Sequence, residues 1–497
     1  MKRKLIILIL IVFSFYKWTA CYGYDHFKLK EIIPTHYDKL QEAFLNRQLH
    51  VFDKPHPVVQ ALPDPYDGSA PWPERLQDAS LYKGKYYLYF GPTPVLTLYI
   101  PYYLLFKENI PTNLAVFIFS FGAFLWLMLF ILNLRKIYFT KTPDWIILLI
   151  LSVLGFSNFI PWLLSRAQVY EVAISSGLFF LTGSIYFFSR ALHEKKYLPI
   201  FLGSLFSGLA LGSRPNMLAA TALIILIVYL VLLKRNIFSK IRFSFLLLFP
   251  YLSCLFLLAL YNYLRFENIF EFGLSYQLHG FNLHNLKPMH INFVIPWLQL
   301  YLFQMPKIDS IFPFIHPIVP PSPSYLKPPG LYFIEKTVGI IPTTPFILLI
   351  FLPVFYLKSK IFSFISPKKI KEVIIGFPII EFWFVFISAL VGIITISLMW
   401  GNTERYVVDC VSYFILAASI IFLYMDNNIK DSNFIKLSRR AALIAGLFSI
   451  VCGFYLSITG CCEVIYNWNK DEYSKVEKYS KPVSKIIKFI IGDKGIS

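Results

Sequence analysis

Four aspartates and three arginines in this sequence have the right types and settings to do chemistry: Asp38, Asp64, Asp67 and Asp78, and Arg166, Arg214 and Arg405. A carboxylate within hydrogen-bond reach of a hydroxyl can take its proton, and the planar fork of arginine matches the oxygens of a phosphate. Asp64 and Asp67 lie in Leu62-Pro-Asp-Pro-Tyr-Asp-Gly, where Pro63, Pro65 and Gly68 predict a rigid turn that presents both carboxylates. Arg166 and Glu171 are spaced to face each other across about a turn and a half of helix. Arg214 stands in Gly-Ser-Arg-Pro-Asn, where Pro215 removes a backbone donor and predicts a bend. Glu404, Arg405 and Asp409 open a further apolar run. Ionisable groups at the edge of apolar spans are costly and tend to mark pathways or sites. Any one of them taken alone is equally well read as an interfacial anchor or a helix–helix ion pair.

The elements that must position these residues are membrane spans. Of 497 residues, 57% are hydrophobic and 15% charged, too few polar groups to cover a water-facing surface. Runs of about 17 to 25 apolar residues are long enough to cross a bilayer as helices. They fall near 5–20, 112–134, 145–164, 169–189, 197–212, 216–233, 243–263, 337–357, 377–400, 406–425 and 441–462, which predicts an all-α polytopic protein of about eleven transmembrane helices. With Lys2, Arg3 and Lys4, the linkers after the even-numbered spans hold 22 basic residues, whereas the short linkers opposite hold one each, Arg166, Arg214 and Arg405. The positive-inside rule makes the lysine-rich side cytoplasmic. The net charge of +19 follows from that topology and predicts no nucleic-acid partner. Met1 to Lys4 is a basic start and the apolar run Leu5 to Tyr16 lies within signal-peptide length, but Trp18 and the lack of a clear cleavage site favour an uncleaved anchor.

Two long segments then face outward. In the first, 21–111, Leu40, Phe44 and Leu45 recur at helical spacing within 36–50 and predict an amphipathic helix along the interface, and Lys83-Gly84 sits between two alternating runs as a hairpin turn. The second, 264–336, contains Pro313, Pro317, Pro320, Pro321, Pro323, Pro328 and Pro329, too many for regular helix, and reads as an ordered lid or substrate wall. Residues 1–462 form the membrane domain and 463–497 a lysine-rich tail. His279, His284 and His290 match no familiar zinc spacing. Vicinal Cys461-Cys462 is a strained candidate for a disulfide, and no Walker-type glycine loop occurs.

Several motifs carry a resemblance: Leu-Pro-Asp-Pro-Tyr-Asp at 62–67, Tyr-Tyr-Leu-Tyr-Phe-Gly-Pro at 86–92, Val-Tyr-Glu-Val-Ala at 169–173, Gly-Ser-Arg-Pro at 212–215, Tyr-Asn-Tyr-Leu-Arg-Phe-Glu at 261–267, Glu-Phe-Gly-Leu-Ser-Tyr-Gln at 271–277 and Glu-Arg-Tyr-Val-Val-Asp at 404–409. Over residues 30–420 the chain resembles the C-type (GT-C) integral membrane glycosyltransferases, near the protein mannosyltransferase and aminoarabinose transferase branch. The resemblance implies a bacterial inner-membrane enzyme that takes a sugar from a polyprenyl-phosphate donor, with an extracytoplasmic active face and a lipid, glycan or protein acceptor. It implies an outward carboxylate as the base, and the adjacent Asp-Glu of the better-studied relatives is replaced here by Ile33 and Pro34. The role then passes to Asp64 or Asp67, with Asp38 and Asp78 behind them. Arg214, Arg405 and Arg166 are the expected donor-phosphate ligands, and Tyr82, Tyr86, Glu171, Gln277 and Asp409 the expected substrate contacts. The pair Asp64 and Asp67 could hold a divalent cation, as in some C-type enzymes, and no other cofactor is expected. Two rival readings remain open: a transporter or flippase of lipid-linked or envelope precursors, and an assembly protein that kept the fold and lost the base. The lack of an internal repeat counts against the transporter.

Overall fold

A computed structural model describes residues 1–27, 35–68, 75–235, 239–284, 288–321, 332–360, 377–460 and 463–491. Ile33 and Pro34, three of the loop prolines (Pro323, Pro328 and Pro329) and the Cys461-Cys462 pair lie outside them. The chain is mostly helical. Among the described residues, eight helices are long and apolar enough to cross a membrane: Thr112–Ile137, Asp144–Leu164, Val169–His193, Pro215–Arg235, Lys240–Phe266, Ile379–Leu398, Glu404–Asn428 and Ser432–Thr459. Leu198–Ser213 and Pro345–Tyr356 are shorter apolar helices. The first span forms the helix Lys2–Ala20, whose apolar run is interrupted by basic residues at both ends.

Proline and asparagine break two of the expected spans. In the third, Phe159 adopts a left-handed conformation, Asn158 Oδ1 accepts the Ile160 amide at 3.1 Å, and Pro161 starts the second piece at Ile160–Leu164. The stretch 337–357 becomes Ile340–Thr343, a tight 3₁₀ turn Pro345–Phe351 and Leu352–Lys360, because Pro342 and Pro345 each remove a donor.

Packing is closest where side chains are small. Ser184 and Ser207 hydroxyls meet at 2.7 Å between Val169–His193 and Leu198–Ser213, and Ser204 donates to the Leu247 carbonyl of Lys240–Phe266 at 2.5 Å. Such contacts let helix backbones approach and contribute about 0.6 kcal/mol each in membrane proteins. Asp144–Leu164, Val169–His193 and Glu404–Asn428 are the most enclosed spans. Lys240–Phe266 instead exposes Phe245, Phe249, Leu252, Phe256 and Leu257, a face suited to lipid.

The two ends of the bundle differ in chemistry. At one end the Met1 amino group and Arg135 share Asp144 at 3.2 and 2.6 Å, Asn427 reaches Thr142 at 2.6 Å, Arg439 forms a two-point pair with Asp426, and His193 and Tyr138 meet Glu381 at 2.6 and 3.2 Å. Among the described residues, the basic linkers that make these contacts therefore gather at a common end.

The opposite end carries the two long segments, which pair with each other. The helix His36–Leu45 is capped by Thr35 and buries Tyr37, Leu40 and Ala43 against the protein. It stops short of residue 50, and its buried face packs on the protein. The hairpin forms as expected, with Ala79–Tyr82 paired to Lys85–Leu88 and Lys83 and Gly84 both at positive φ. The second segment adds a strand-like contact, Leu278 donating to the Ala79 carbonyl and Asp78 to the Leu278 carbonyl, both at 2.9 Å. It also folds the helix Val294–Phe303 and pairs Phe333–Ile334 with Gly401–Asn402. The hairpin and the start of the Glu404–Asn428 helix are thereby tied through one segment.

Candidate functional site

Two helix starts at the loop end place the arginines. Pro215 terminates Leu198–Ser213 and leaves Arg214 extended at the bend. The 3₁₀ turn Glu404–Val407 opens its helix and projects Arg405, Tyr406 and, one turn on, Asp409. Arg214 Nη2 lies 3.0 Å from Asp409 Oδ2, which also accepts Asn216 Nδ2 at 3.0 Å. Arg405 Nη1 lies 3.3 Å from Glu335 Oε1. Both guanidinium groups flank the Tyr406 ring, at 5.3 and 5.6 Å from its centroid, and Arg405 also lies 4.9 Å from the ring of Tyr170. Arg166 approaches Glu171 at 3.8 Å, while Glu171 accepts the Gln168 amide and caps its own helix.

Four buried atoms in this cluster have no hydrogen-bond partner among the described residues: Arg405 Nε, Asp409 Oδ1, Glu171 Oε1 and Glu404 Oε1. An unmet buried polar atom costs about 1–3 kcal/mol. Further polar groups entering the cluster could satisfy them.

Asp78 reaches the cluster from the hairpin. Its left-handed backbone, φ 60°, turns the chain into the first strand, and Gln277 Nε2 donates to its Oδ1 at 2.8 Å. The Tyr170 hydroxyl interacts with Asp78 and Tyr89, so the Tyr170 side chain spans the gap between Asp78 and Arg405. Asp78 is partly exposed, unlike Glu171, Glu404 and Asp409, which are buried. Burial pushes the Tyr89 hydroxyl well above the ordinary tyrosine range, keeping it protonated as a donor. Burial likewise pushes the neighbouring His36 imidazole down, partly offset by its hydrogen bond to the Gln77 carbonyl.

Two sequence motifs pack directly on each other beside the cluster. Gly91, in Tyr-Phe-Gly-Pro, lies so close to the end of Leu198–Ser213 that a Cβ would collide with the Gly212 carbonyl oxygen and crowd that of Ser213. Phe90 meets the Tyr170 ring edge-on at 5.5 Å.

Of the residues singled out from sequence, Asp78, Gln277, Glu171, Asp409, Arg166, Arg214 and Arg405 thus come together. The others have different surroundings. Asp64 Oδ1 accepts the Tyr66 amide at 2.9 Å and Oδ2 accepts Asn282 Nδ2 at 2.6 Å, which holds the proline turn to the second segment. Asp67 is exposed on the same turn, its carbonyl accepting Arg75. Asp38 forms a capping box with Thr35. Tyr82 packs on Phe266 and Tyr276 at 5.7 and 4.7 Å, and Tyr86 is buried. Among the described residues no group of three or more His, Cys, Asp or Glu could hold a metal ion.

Tyr170, Tyr406, Asn216 and Glu335 complete the cluster without having been read as site residues. The first three are immediate or next neighbours of Glu171, Arg405 and Arg214, so the motifs that flagged the charges contained them. Glu335 gave no signal beyond being an acid at the end of the second segment. Compared with protein-family models, curated proteins and solved structures, the chain matches none.

Proposed function

We propose that this protein is a glycosyltransferase of the bacterial cytoplasmic membrane that moves a sugar from a polyprenyl phosphate to an extracytoplasmic lipid, glycan or protein acceptor. In this reading the chain crosses the membrane eleven times, with its N-terminus and basic end in the cytoplasm and the loop end outside. The observation that carries it is one partly exposed carboxylate, Asp78, linked through Tyr170 to Arg405, with Arg214 across the Tyr406 ring. Proton acceptor and phosphate ligands are the two groups that the reaction needs side by side.

The acceptor hydroxyl gives its proton to Asp78 as its oxygen bonds to the anomeric carbon. The bond from that carbon to the phosphate oxygen breaks, and the polyprenyl phosphate leaves with the electron pair. Negative charge grows on the leaving phosphate, where Arg405 and Arg214 would hold it in a water-poor setting that strengthens each contact. Gln277 fixes the Asp78 carboxylate through Oδ1. Tyr170 and Tyr89 supply hydroxyls beside it.

The test is binding of a panel of polyprenyl-phosphate sugars to purified protein, with Arg405→Ala alongside. At least one donor should bind and Arg405→Ala should weaken it by about 10²-fold. If no donor binds, the arginines are ion-pair partners of Asp409 and Glu335 alone and the reading fails.

A further inference from the structure

We infer that the C-terminal helix Lys470–Ile491 is an in-plane anchor that binds the anionic phospholipid surface of the leaflet at the loop end. This helix begins where the chain has just left the Ser432–Thr459 span. Its start is fixed at the level of the first helix's end: Trp18 Nε1 donates to Glu472 at 3.0 Å and Asn469 Nδ2 to the Tyr22 carbonyl at 3.0 Å. Its first turn and its second half are fixed on the second segment, with the Tyr473 hydroxyl on the Phe312 carbonyl at 3.1 Å and the Ser484 hydroxyl on the Ser310 carbonyl at 2.8 Å. Tyr473, Val476, Ser480, Val483 and Ile487 form the face that packs on the protein.

A second apolar stripe has no such cover. Tyr479, Pro482, Ile486 and Phe489 recur at helical spacing on a different face. Tyr479 is 83% exposed and Phe489 91%. Beside that stripe run the exposed lysines Lys478, Lys481, Lys485 and Lys488, and no acidic residue follows Glu477 within the helix. An apolar stripe bordered by lysines is the pattern of a helix lying at a bilayer surface, its apolar side among the acyl chains and its ammonium groups among lipid phosphates. Exposed Tyr466 and Trp468 just before it are the aromatic types that settle at headgroup level. Charge selects the occupant: each lysine near an anionic leaflet is worth about 1 kcal/mol, and a neutral leaflet offers none of this.

Hydrogen exchange of the full chain in nanodiscs tests the inference, with discs of phosphatidylcholine alone or mixed with phosphatidylglycerol. Amides of 478–489 should exchange about tenfold more slowly in the anionic discs. High salt should erase the difference, and so should the triple variant Lys478→Gln, Lys481→Gln, Lys485→Gln. Those side chains are exposed, and unchanged exchange of Val169–His193 would certify that the variant is folded. Phe489→Ser should speed exchange in both discs. Equal exchange in the two lipids, or a lipid difference that survives in the lysine variant, would overturn the inference and leave the second segment or a protein partner as the cover for this stripe.

Discussion

Arg405 pairs with Glu335 at 3.3 Å and has two aromatic rings beside it and a buried Nε without a hydrogen-bond partner among the described residues. A lysine there would keep the charge and lose the planar fork that uses both faces. Arg405→Lys should therefore fail to restore the donor affinity lost in Arg405→Ala, a comparison that titration of the two variants decides. Asp38 behaves differently. Burial raises its carboxyl above the ordinary aspartate range, against hydrogen bonds from Thr35 that lower it. The stability it contributes is complete below the ordinary aspartate value and is lost as pH rises through the raised one. Asp38→Asn should match the parent's melting temperature in acid and exceed it at neutral pH, with turnover retained. Asp38→Ala should cost about 1 kcal/mol through the lost cap. At this scale the charged members of the cluster were legible, because ionisable residues at span ends stand out against apolar surroundings. The surroundings of the aspartates were not. A proline turn looks like a platform for Asp64, yet such turns also need side-chain acceptors for their own amides, and Asp64 spends Oδ1 on Tyr66 and Oδ2 on Asn282.

The hairpin is the element that brings the carboxylate to the arginines, and just beyond it Gly91 packs directly on the end of Leu198–Ser213. A methyl group at that position must push apart two backbones rather than one flexible side chain. Gly91→Ala should lower stability by about 1–3 kcal/mol and reduce turnover more than donor binding, read from melting curves and kinetics in detergent. Turn chemistry made the hairpin visible in the sequence, since Lys83-Gly84 between alternating runs has few other uses. The helix Val294–Phe303 was hidden, because a ten-residue, largely apolar stretch with Gln299 inside it is too short for a span and carries no clear start signal. The break at Asn158 was hidden for the opposite reason. Asn158 and Pro161 sit inside an otherwise uniform apolar run, where hydropathy outweighs them.

For the whole molecule, the grouping of basic linkers was readable because charge asymmetry is a long-range pattern that needs no knowledge of packing, and the structure gathers Arg135, Arg439 and the Met1 terminus at one end. Pairing of the two long segments was not readable, since contacts such as Asp78 with Gln277 join residues far apart in the chain. Biotin-acceptor tags inserted after Lys141, Lys195 and Lys430 should label only in permeabilised cells, and a tag after Gly84 should label in intact ones; labelling of both groups from one side would break the topology. The proposed transfer requires Asp78 to take a proton beside two phosphate-holding arginines. Single-turnover transfer from a bound polyprenyl-phosphate sugar, compared among the parent, Asp78→Asn and Asp64→Asn, tests that most directly. Asp78→Asn should slow transfer by about 10²- to 10⁴-fold with donor binding intact, and Asp64→Asn should transfer at nearly the parent rate. Full activity in Asp78→Asn, or loss confined to Asp64→Asn, would contradict the account.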